Sequence, residues 1–381
     1  MIASIKDNLE DIKSKGLYRN LPPIAKSHTK YTIFNGEEKL NCASNDYLGL
    51  SHNDQVKEAA AEALRMYGNS SGSSRIVAGN YDLYDKLEYE TAKFKNYESC
   101  LTVNTGYTAN LLIISTLADS RSIVFTDKLN HASIYDGIKL CGAKMVRYKH
   151  NDMNHLETLL KKYDKYPNKI LITDTIFSMD GDKARLKEIR KLKYKYNFLF
   201  VIDEAHATGI FGEGRGIAHE EGVEKDIDIN MGTFSKALGG FGAYICADKN
   251  IIKYLINKGR SFIFTTSLPP SVIGGNVKSV EIVSKEHEKY GGRLLDNCRI
   301  FTNLLATLNI DHEKSNSQIF PFFFKDNNSA LEVQKKLLDS GVYALLARRP
   351  SVTTPRLRIS LRADFTNEDI VKIVKCLKKI I

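Results

Sequence analysis

The chain has 381 residues, 43% hydrophobic and 26% charged, the profile of a globular protein too long for one small core and suited to two or three domains. It contains no run of about 18 apolar residues that could cross a membrane, and its start, Met-Ile-Ala-Ser-Ile-Lys-Asp, lacks the apolar stretch of a secretory leader. The formal net charge of +10 would suit nucleic acid, a CoA phosphate or an acidic carrier protein. The lysines are spread along the chain, however, and the small cluster at 187–195 has the spacing of a solvated helix face, so neither nucleic acid nor a membrane is expected as a partner.

In chain order, residues 1–43 read as an N-terminal arm, with a short amphipathic helix near 5–14 followed by Leu21-Pro22-Pro23. Residues 44–280 read as a large domain. Apolar runs at 100–103, 122–126, 144–148, 170–173, 198–202, 227–231, 243–247 and 262–265 predict strands, and amphipathic stretches at 84–94, 156–162 and 186–194 predict helices between them. That alternation predicts βαβ units and a mostly parallel sheet. After Pro269-Pro270 a long helix is predicted over 272–288. Residues 281–381 read as a smaller α+β domain, with strands at 319–324 and 356–361 and helices at 330–340 and 366–380, the last capped by Thr366 with Glu368 in its first turn. The six cysteines, Cys42, Cys100, Cys141, Cys246, Cys298 and Cys376, form no CxxC pair, which argues against zinc and for a reducing, cytoplasmic location.

In an open α/β sheet, ligands bind beyond the carboxyl ends of the strands. Lys236 lies there, in the Gly-rich turn Gly232-Thr233-Phe234-Ser235-Lys236-Ala237-Leu238-Gly239-Gly240, and Asp203-Glu204-Ala205-His206 closes the apolar run before it. A lysine in such a turn with an acid and a histidine at a strand end suits pyridoxal phosphate (PLP): the lysine carries the cofactor covalently and the acid keeps the pyridine nitrogen protonated. Asp203 could instead cap a helix; a magnesium role fails because no GxxxxGK[ST] segment exists. His131 follows another strand and reads either as a ring stacked on the cofactor or as an ordinary loop histidine; His206 reads as a partner of the cofactor's phenolic oxygen or as structural. The other seven histidines lack such company. Gly106 and Tyr107 open a helix after a strand, where free amides suit a phosphate. Thr233 is a natural phosphate donor and Ser178 a hydrogen-bonding partner of the cofactor. Gly212-Glu213-Gly214-Arg215-Gly216 does not open a helix directly after a strand and reads as a flexible loop, not a dinucleotide fingerprint.

These motifs resemble, in order, those of the α-oxoamine synthases, PLP enzymes of fold type I: Ser44-Asn45-Asp46-Tyr47-Leu48-Gly49; Gly72-Ser73-Ser74-Arg75 with Gly79-Asn80; 105–110; Asn130-His131-Ala132-Ser133; 177–182; 203–209; 233–239; and Arg356-Leu357-Arg358-Ile359-Ser360. The resemblance covers essentially the whole chain. It implies a large domain with a mostly parallel sheet, a smaller α+β C-terminal domain, a cytoplasmic homodimer with shared active sites, and condensation of an amino acid with an acyl thioester. Lys236, His131 and Asp203 would be catalytic. Gly106, Tyr107, Ser178, His206 and Thr233 would bind PLP, with Thr266 reaching the phosphate of the neighbouring subunit. Arg358 would grip the amino acid carboxylate; Arg19, Asn45 and Ser351 would lie on the substrate side. The alanine before His206, the Asp-Gly-Asp at 180–182 and the short chain lean towards members that join L-alanine to a pimeloyl thioester, on CoA or a carrier protein. Glycine with acetyl-CoA and serine with a long acyl thioester are the alternatives, and a non-catalytic scaffold that kept the fold is a third reading. The chain departs from the family at Arg185, where proline is usual, and in a 350–355 loop that looks short.

Overall fold

The computed structural model describes residues 2–21, 23–25, 30–34, 36–310, 315–349 and 351–380; Pro22 and Pro350, named in the sequence reading, lie outside them. The chain divides into two compact units. One comprises Asp46–Ser178 and Asp182–Arg293; the other comprises the described residues up to Asn45, Met179–Gly181 and the chain from Leu294 onward.

The larger unit is built on a seven-stranded sheet: β1 Ser99–Val103, β2 Ser122–Asp127, β3 Lys144–Tyr148, β4 Asn168–Asp174, β5 Leu199–Asp203, β6 Ile229–Thr233 and β7 Ala243–Ala247, in the spatial order β1-β7-β6-β5-β4-β2-β3. β7 runs antiparallel to both its neighbours, and all other pairs are parallel. Most positions of β2, β4, β5, β6 and β7 are buried without alternation, as expected of strands covered on both faces. Leu101, Ile172, Val201 and Ile245 share one core cluster with Leu112 and Ile113 of the helix Gly106–Leu117.

One expected strand is not a strand. Residues 262–265 would bury Phe262 and Phe264 on one face of a sheet. Instead Phe262 lies in the helical turn Arg260–Ile263 and packs into the core, while Phe264 is 72% exposed. The loop at 212–216 is also not the flexible segment expected. The Gly209 amide donates to the Gly214 carbonyl (2.7 Å), the Gly216 amide to the Phe211 carbonyl (2.8 Å), and Arg215 holds Glu224 through two hydrogen bonds (2.9 and 2.8 Å). Gly216 has φ +111°, and a Cβ there would lie 2.1 Å from Glu204 Oε2, so only glycine lets this loop close over Glu204.

The smaller unit carries two three-stranded sheets. One is ordered Tyr31–Phe34, Glu37–Asn41, Val342–Tyr343; the other is Ile319–Phe323, Arg356–Ser360, Leu345–Ala347. The C-terminal helix Asn367–Ile380 begins with a reciprocal cap: Thr366 N donates to Asp369 Oδ2 (2.8 Å) and Asp369 N to Thr366 Oγ1 (3.3 Å). Glu368 lies in the first turn as expected, and Asp369 beside it closes the cap with Thr366. Ile370, Ile373, Val374 and Leu377 bury the apolar face of this helix. Among the described residues no helix is long and apolar enough to cross a membrane.

Candidate active site

Five strand ends of the large sheet deliver the predicted cofactor residues. Asp203 closes β5 and is buried. Its Oδ2 accepts from Asn110 Nδ2 (2.9 Å) and its Oδ1 from the Ala205 amide (2.9 Å), a short turn in place of a helix cap. His206, three residues on, joins a chain of polar groups: the Tyr47 hydroxyl is 2.7 Å from Nδ1, and Lys236 Nζ is 2.8 Å from Nε2. Lys236 sits in the tight connection between β6 and β7. That turn closes through Phe234 N to the Gly242 carbonyl (2.9 Å) and Gly240 N to the Phe234 carbonyl (2.8 Å). Gly239 has φ +65°, and a Cβ on it would meet Ser51 N at 2.2 Å; the turn needs that glycine to aim the lysine.

His131 follows β2 and caps the helix Ala132–Cys141, its Nδ1 lying 2.7 Å from Ser133 Oγ. Burial holds this imidazole below its ordinary pKa; the Lys236 charge acts the same way, and Asp203 opposes it. The His131 amide donates to Asp174 Oδ2 (3.0 Å) at the end of β4. Asp174 is buried and stands opposite Asp203 in the parallel register. Its Oδ1 has no hydrogen-bond partner among the described residues. Burial, reinforced by the Asp203 charge, pushes its carboxyl well above the usual carboxylate range.

Thr105 caps the helix Gly106–Leu117 by accepting from the Thr108 amide (3.0 Å), which leaves the Gly106 and Tyr107 amides at a helix N-terminus outside the helical hydrogen-bond ladder. A Cβ on Gly106 would meet only Met231 Cε, at 3.9 Å, so little packs against this glycine on its Cα side. The Tyr107 ring stands edge-on to His131 (6.4 Å between centroids) and its hydroxyl bonds Asp136; it is 43% exposed rather than buried. The Thr233 hydroxyl donates to the Gly242 carbonyl (2.6 Å) and accepts from the Ser235 amide (3.0 Å), so it is bound into the lysine turn. Ser178 follows β4 and is half-buried. Thr266 is exposed, and its carbonyl accepts from Asn104 Nδ2 (2.7 Å).

In the smaller unit Arg358 lies buried in the central strand Arg356–Ser360, with its Nη2 on Ser360 Oγ (3.0 Å) and on Asn45 Oδ1. Arg19 Nη2 donates to Ser351 Oγ (2.8 Å). The four residues assigned to the substrate side thus form two pairs.

Tyr47, Asn110, Ser133 and Asp174 carry no role legible in the sequence, although all but Asp174 lie inside the quoted motifs. Nor does His150, whose two ring nitrogens face Asp127 Oδ1 (3.0 Å) and Asp182 Oδ2 (2.8 Å); the expectation that the other histidines lack company fails there. Asp127 and Asp182 close the end of β2 and the loop after β4, and neither stood near His150 in sequence.

The arrangement offers an amine, a buried carboxylate and two helix N-terminal amides outside the helical ladder. These are the groups that PLP requires for its aldehyde carbon, ring nitrogen and phosphate. Residues 37–377 match the family Aminotransferase class I and II. The chain is 44% identical over 370 residues, 96% of its length and 93% of the relative's, to a protein of Bacillus cereus (strain ATCC 10987 / NRS 248) named "Putative 8-amino-7-oxononanoate synthase", and 43% identical to one of Bacillus anthracis with the same name. Its fold is similar to a serine palmitoyltransferase variant from S. paucimobilis solved with bound PLP and myriocin, with TM-score 0.92, 30% identity, and coverage of 99% of this chain and 96% of that one. It is also similar to 8-amino-7-oxononanoate synthase from Francisella tularensis, with TM-score 0.78, 30% identity, and coverage of 90% and 97%. The chain belongs to the aminotransferase class I and II family and is a PLP-dependent enzyme of the α-oxoamine synthase type.

Proposed function

We propose that this enzyme condenses L-alanine with a pimeloyl thioester, on CoA or a carrier protein, releasing CO2 and the free thiol and forming 8-amino-7-oxononanoate, a step of biotin synthesis. The observation that carries the chemistry is Lys236 Nζ at 2.8 Å from His206 Nε2, in the unit whose buried Asp203 closes the neighbouring strand. The choice of substrates leans on the relatives' names.

Bound PLP supplies an electron sink for the charge that develops at the amino acid's Cα. Lys236 would hold the cofactor and would serve as the base for the Cα proton of the bound amino acid. Asp203, fixed by Asn110 and the Ala205 amide, keeps a positive ring nitrogen paired. His206, held by Tyr47, and Ser178 hydrogen-bond the cofactor. His131, whose imidazole burial holds below its ordinary pKa, would stack on the ring and polarise the new ketone. The Gly106 and Tyr107 amides would serve the phosphate, and Thr233 would join them by turning its hydroxyl proton from the Gly242 carbonyl to a phosphate oxygen. Arg358, buried and braced by Asn45 and Ser360, offers the bidentate geometry that a carboxylate takes, and Arg19 with Ser351 takes the acyl side. A homodimer with shared sites would bring Thr266 to the partner's phosphate.

A second reading, serine with a long acyl thioester, draws on the higher TM-score of the serine palmitoyltransferases. One experiment separates the two. The purified protein with PLP is titrated with L-alanine, glycine and L-serine while the cofactor absorption is followed, and product is then assayed with acyl-CoAs of graded length. Turnover of alanine with pimeloyl-CoA supports the proposal. Preference for serine with a long chain replaces it, and failure to bind PLP at all defeats both.

A further inference from the structure

His150 lies just past the edge strand β3, four strands along the sheet from β6, which leads into the lysine turn, yet it is tied to two of the loops that carry the cofactor residues. Both its ring nitrogens face carboxylate oxygens, Nδ1 to Asp127 Oδ1 (3.0 Å) and Nε2 to Asp182 Oδ2 (2.8 Å). A carboxylate oxygen only accepts, so both nitrogens carry protons and the ring is an imidazolium. Asn151 repeats the bridge: its amide donates to Asp127 Oδ2 (2.9 Å), and its Nδ2 donates to Asp182 Oδ2 (2.8 Å) and to the Lys183 carbonyl (3.0 Å). The Phe177 ring stands edge-on against the imidazole at 4.5 Å.

Each aspartate in turn shapes a loop. Asp127 is fully buried; its Oδ1 accepts from the Leu129 amide (2.9 Å) and its backbone carbonyl from the Tyr135 hydroxyl (2.7 Å), which sets the turn into His131. Asp182 closes the base of the loop after β4, where its carbonyl accepts from the Phe177 amide (3.1 Å) beside Ser178, and Ile176 pairs with Lys183.

We propose that His150, through Asp127 and Asp182, is a positioning residue that fixes the loop bearing His131 and the loop bearing Ser178 relative to one another, so that both meet the cofactor ring together. The inference rests on the reading above that those two residues contact PLP. It assigns no catalytic contact to His150; a neutral side chain of similar volume would fill the space but leave two carboxylates facing each other without a cation.

The test is a double-mutant cycle on the full chain, read as the PLP dissociation constant and the position of the cofactor absorption band. Ser178→Ala and His131→Ala come first in the parent protein: if neither moves binding or the band, the cofactor-site reading fails and takes this inference with it. If they do, His150→Phe, which keeps a ring against Phe177, should weaken PLP binding about tenfold and shift the band, and Ser178→Ala should cost little more in that background, because residues in one network are non-additive. Asp182→Asn, whose amide oxygen can still accept from Nε2, should stay within about threefold of the parent. His150→Gln carries the same cycle should the Phe variant not fold. Parent-like binding and absorption in the His150 variants, or full additivity with Ser178→Ala, overturns the proposal even where the melting temperature falls.

Discussion

Behind the cofactor residues lies a buried ion pair. Lys95 and Glu204 have side chains 1% and 0% exposed, with Nζ 2.5 Å from Oε2. Lys95 also donates to Thr208 Oγ1 (3.3 Å) and to the Arg215 carbonyl, and Glu204 accepts from Asn230 Nδ2 (3.0 Å) and the Ala218 amide (2.9 Å). Removing one partner of such a pair strands the other charge, at about 3–5 kcal/mol. Lys95→Met fills the same volume and strands Glu204. Since about 1 kcal/mol moves the melting temperature of a unit of this size by about 2–4 °C, the variant should melt about 10 °C lower. The double variant Lys95→Met/Glu204→Gln restores neutrality, keeps one amide oxygen to accept from Ala218 and gains an NH2 that can donate to Asn230 Oδ1 once that amide turns over, so it should recover about half of that loss or more. Thermal melts followed by circular dichroism at matched PLP give both numbers. A Lys95→Met protein within about 1 kcal/mol of the parent would refute the reasoning, because the buried charge would then find compensation that the structure does not show.

Lys236→Ala should abolish turnover while the protein still folds; retained product formation in the acyl-CoA assay would remove Lys236 from its role. Asp203→Asn should weaken PLP retention by about tenfold or more, through loss of an ion pair worth about 1.4 kcal/mol or more, measured as cofactor loss on dialysis. Gly216→Ala should destabilise the large unit by about 2 kcal/mol or more, because its Cβ would overlap the Glu204 carboxylate at a φ that side chains avoid; an unchanged melting temperature would mean the loop can shift freely. For His150, burial alone would lower the pKa, but the hydrogen bonds and charges of Asp127 and Asp182 outweigh it and raise it to about 10. A raised histidine stabilises fully below its unfolded value of about 6.5 and loses that stabilisation as pH rises through about 10. The ceiling of about 5 kcal/mol falls to roughly 2 because the ring is partly solvent-exposed, so the stability gap between parent and His150→Phe should narrow from about pH 7 to about pH 10. A constant gap counts against the charged state.

Much of this fold is written locally. The run 243–247 is a strand at the residues predicted because a short, wholly apolar stretch between turns has few other ways to bury itself, and the last helix announces itself through Thr366 and its period of buried aliphatics. The stretch 262–265 carries the same kind of composition, and only the tertiary position of Phe262, pointing into the core from a helical turn, decides against a strand. The site divides in the same way. Lys236, Asp203, His206 and His131 are visible as polar residues at the ends of apolar runs. Tyr47 is not, because it meets His206 across 159 residues of sequence, and His150 is not, because its two aspartates lie 23 and 32 residues away in opposite directions. Asp174 ends its own strand as Asp203 does, and the signal was there; what singles it out is its register opposite a second carboxylate.

The adjacency of Asp203 and Glu204 shows how one short segment serves two purposes. Successive side chains leaving a strand point to opposite faces. Asp203 turns to Asn110 and the cofactor residues, while Glu204 turns to Lys95, Asn230 and the loop at 216. β6 obeys the same alternation: Asn230 supports Glu204, and the next residue, Met231, lies under Gly106 and accepts from the Glu204 amide through its carbonyl (2.7 Å). The two acids should therefore separate experimentally. Asp203→Asn should lose cofactor with little change in the stability of the PLP-free protein, since its amide oxygen still accepts from Ala205 and its NH2 can donate to Asn110 Oδ1, which has no partner among the described residues, once the Asn110 amide turns over. Glu204→Gln should leave Lys95 without a counter-ion and lower the melting temperature while the protein that remains folded still retains PLP. If both substitutions instead lowered stability and cofactor retention in the same proportion, the two faces of β5 would be one coupled network, and the division of labour drawn from their opposite directions would be wrong.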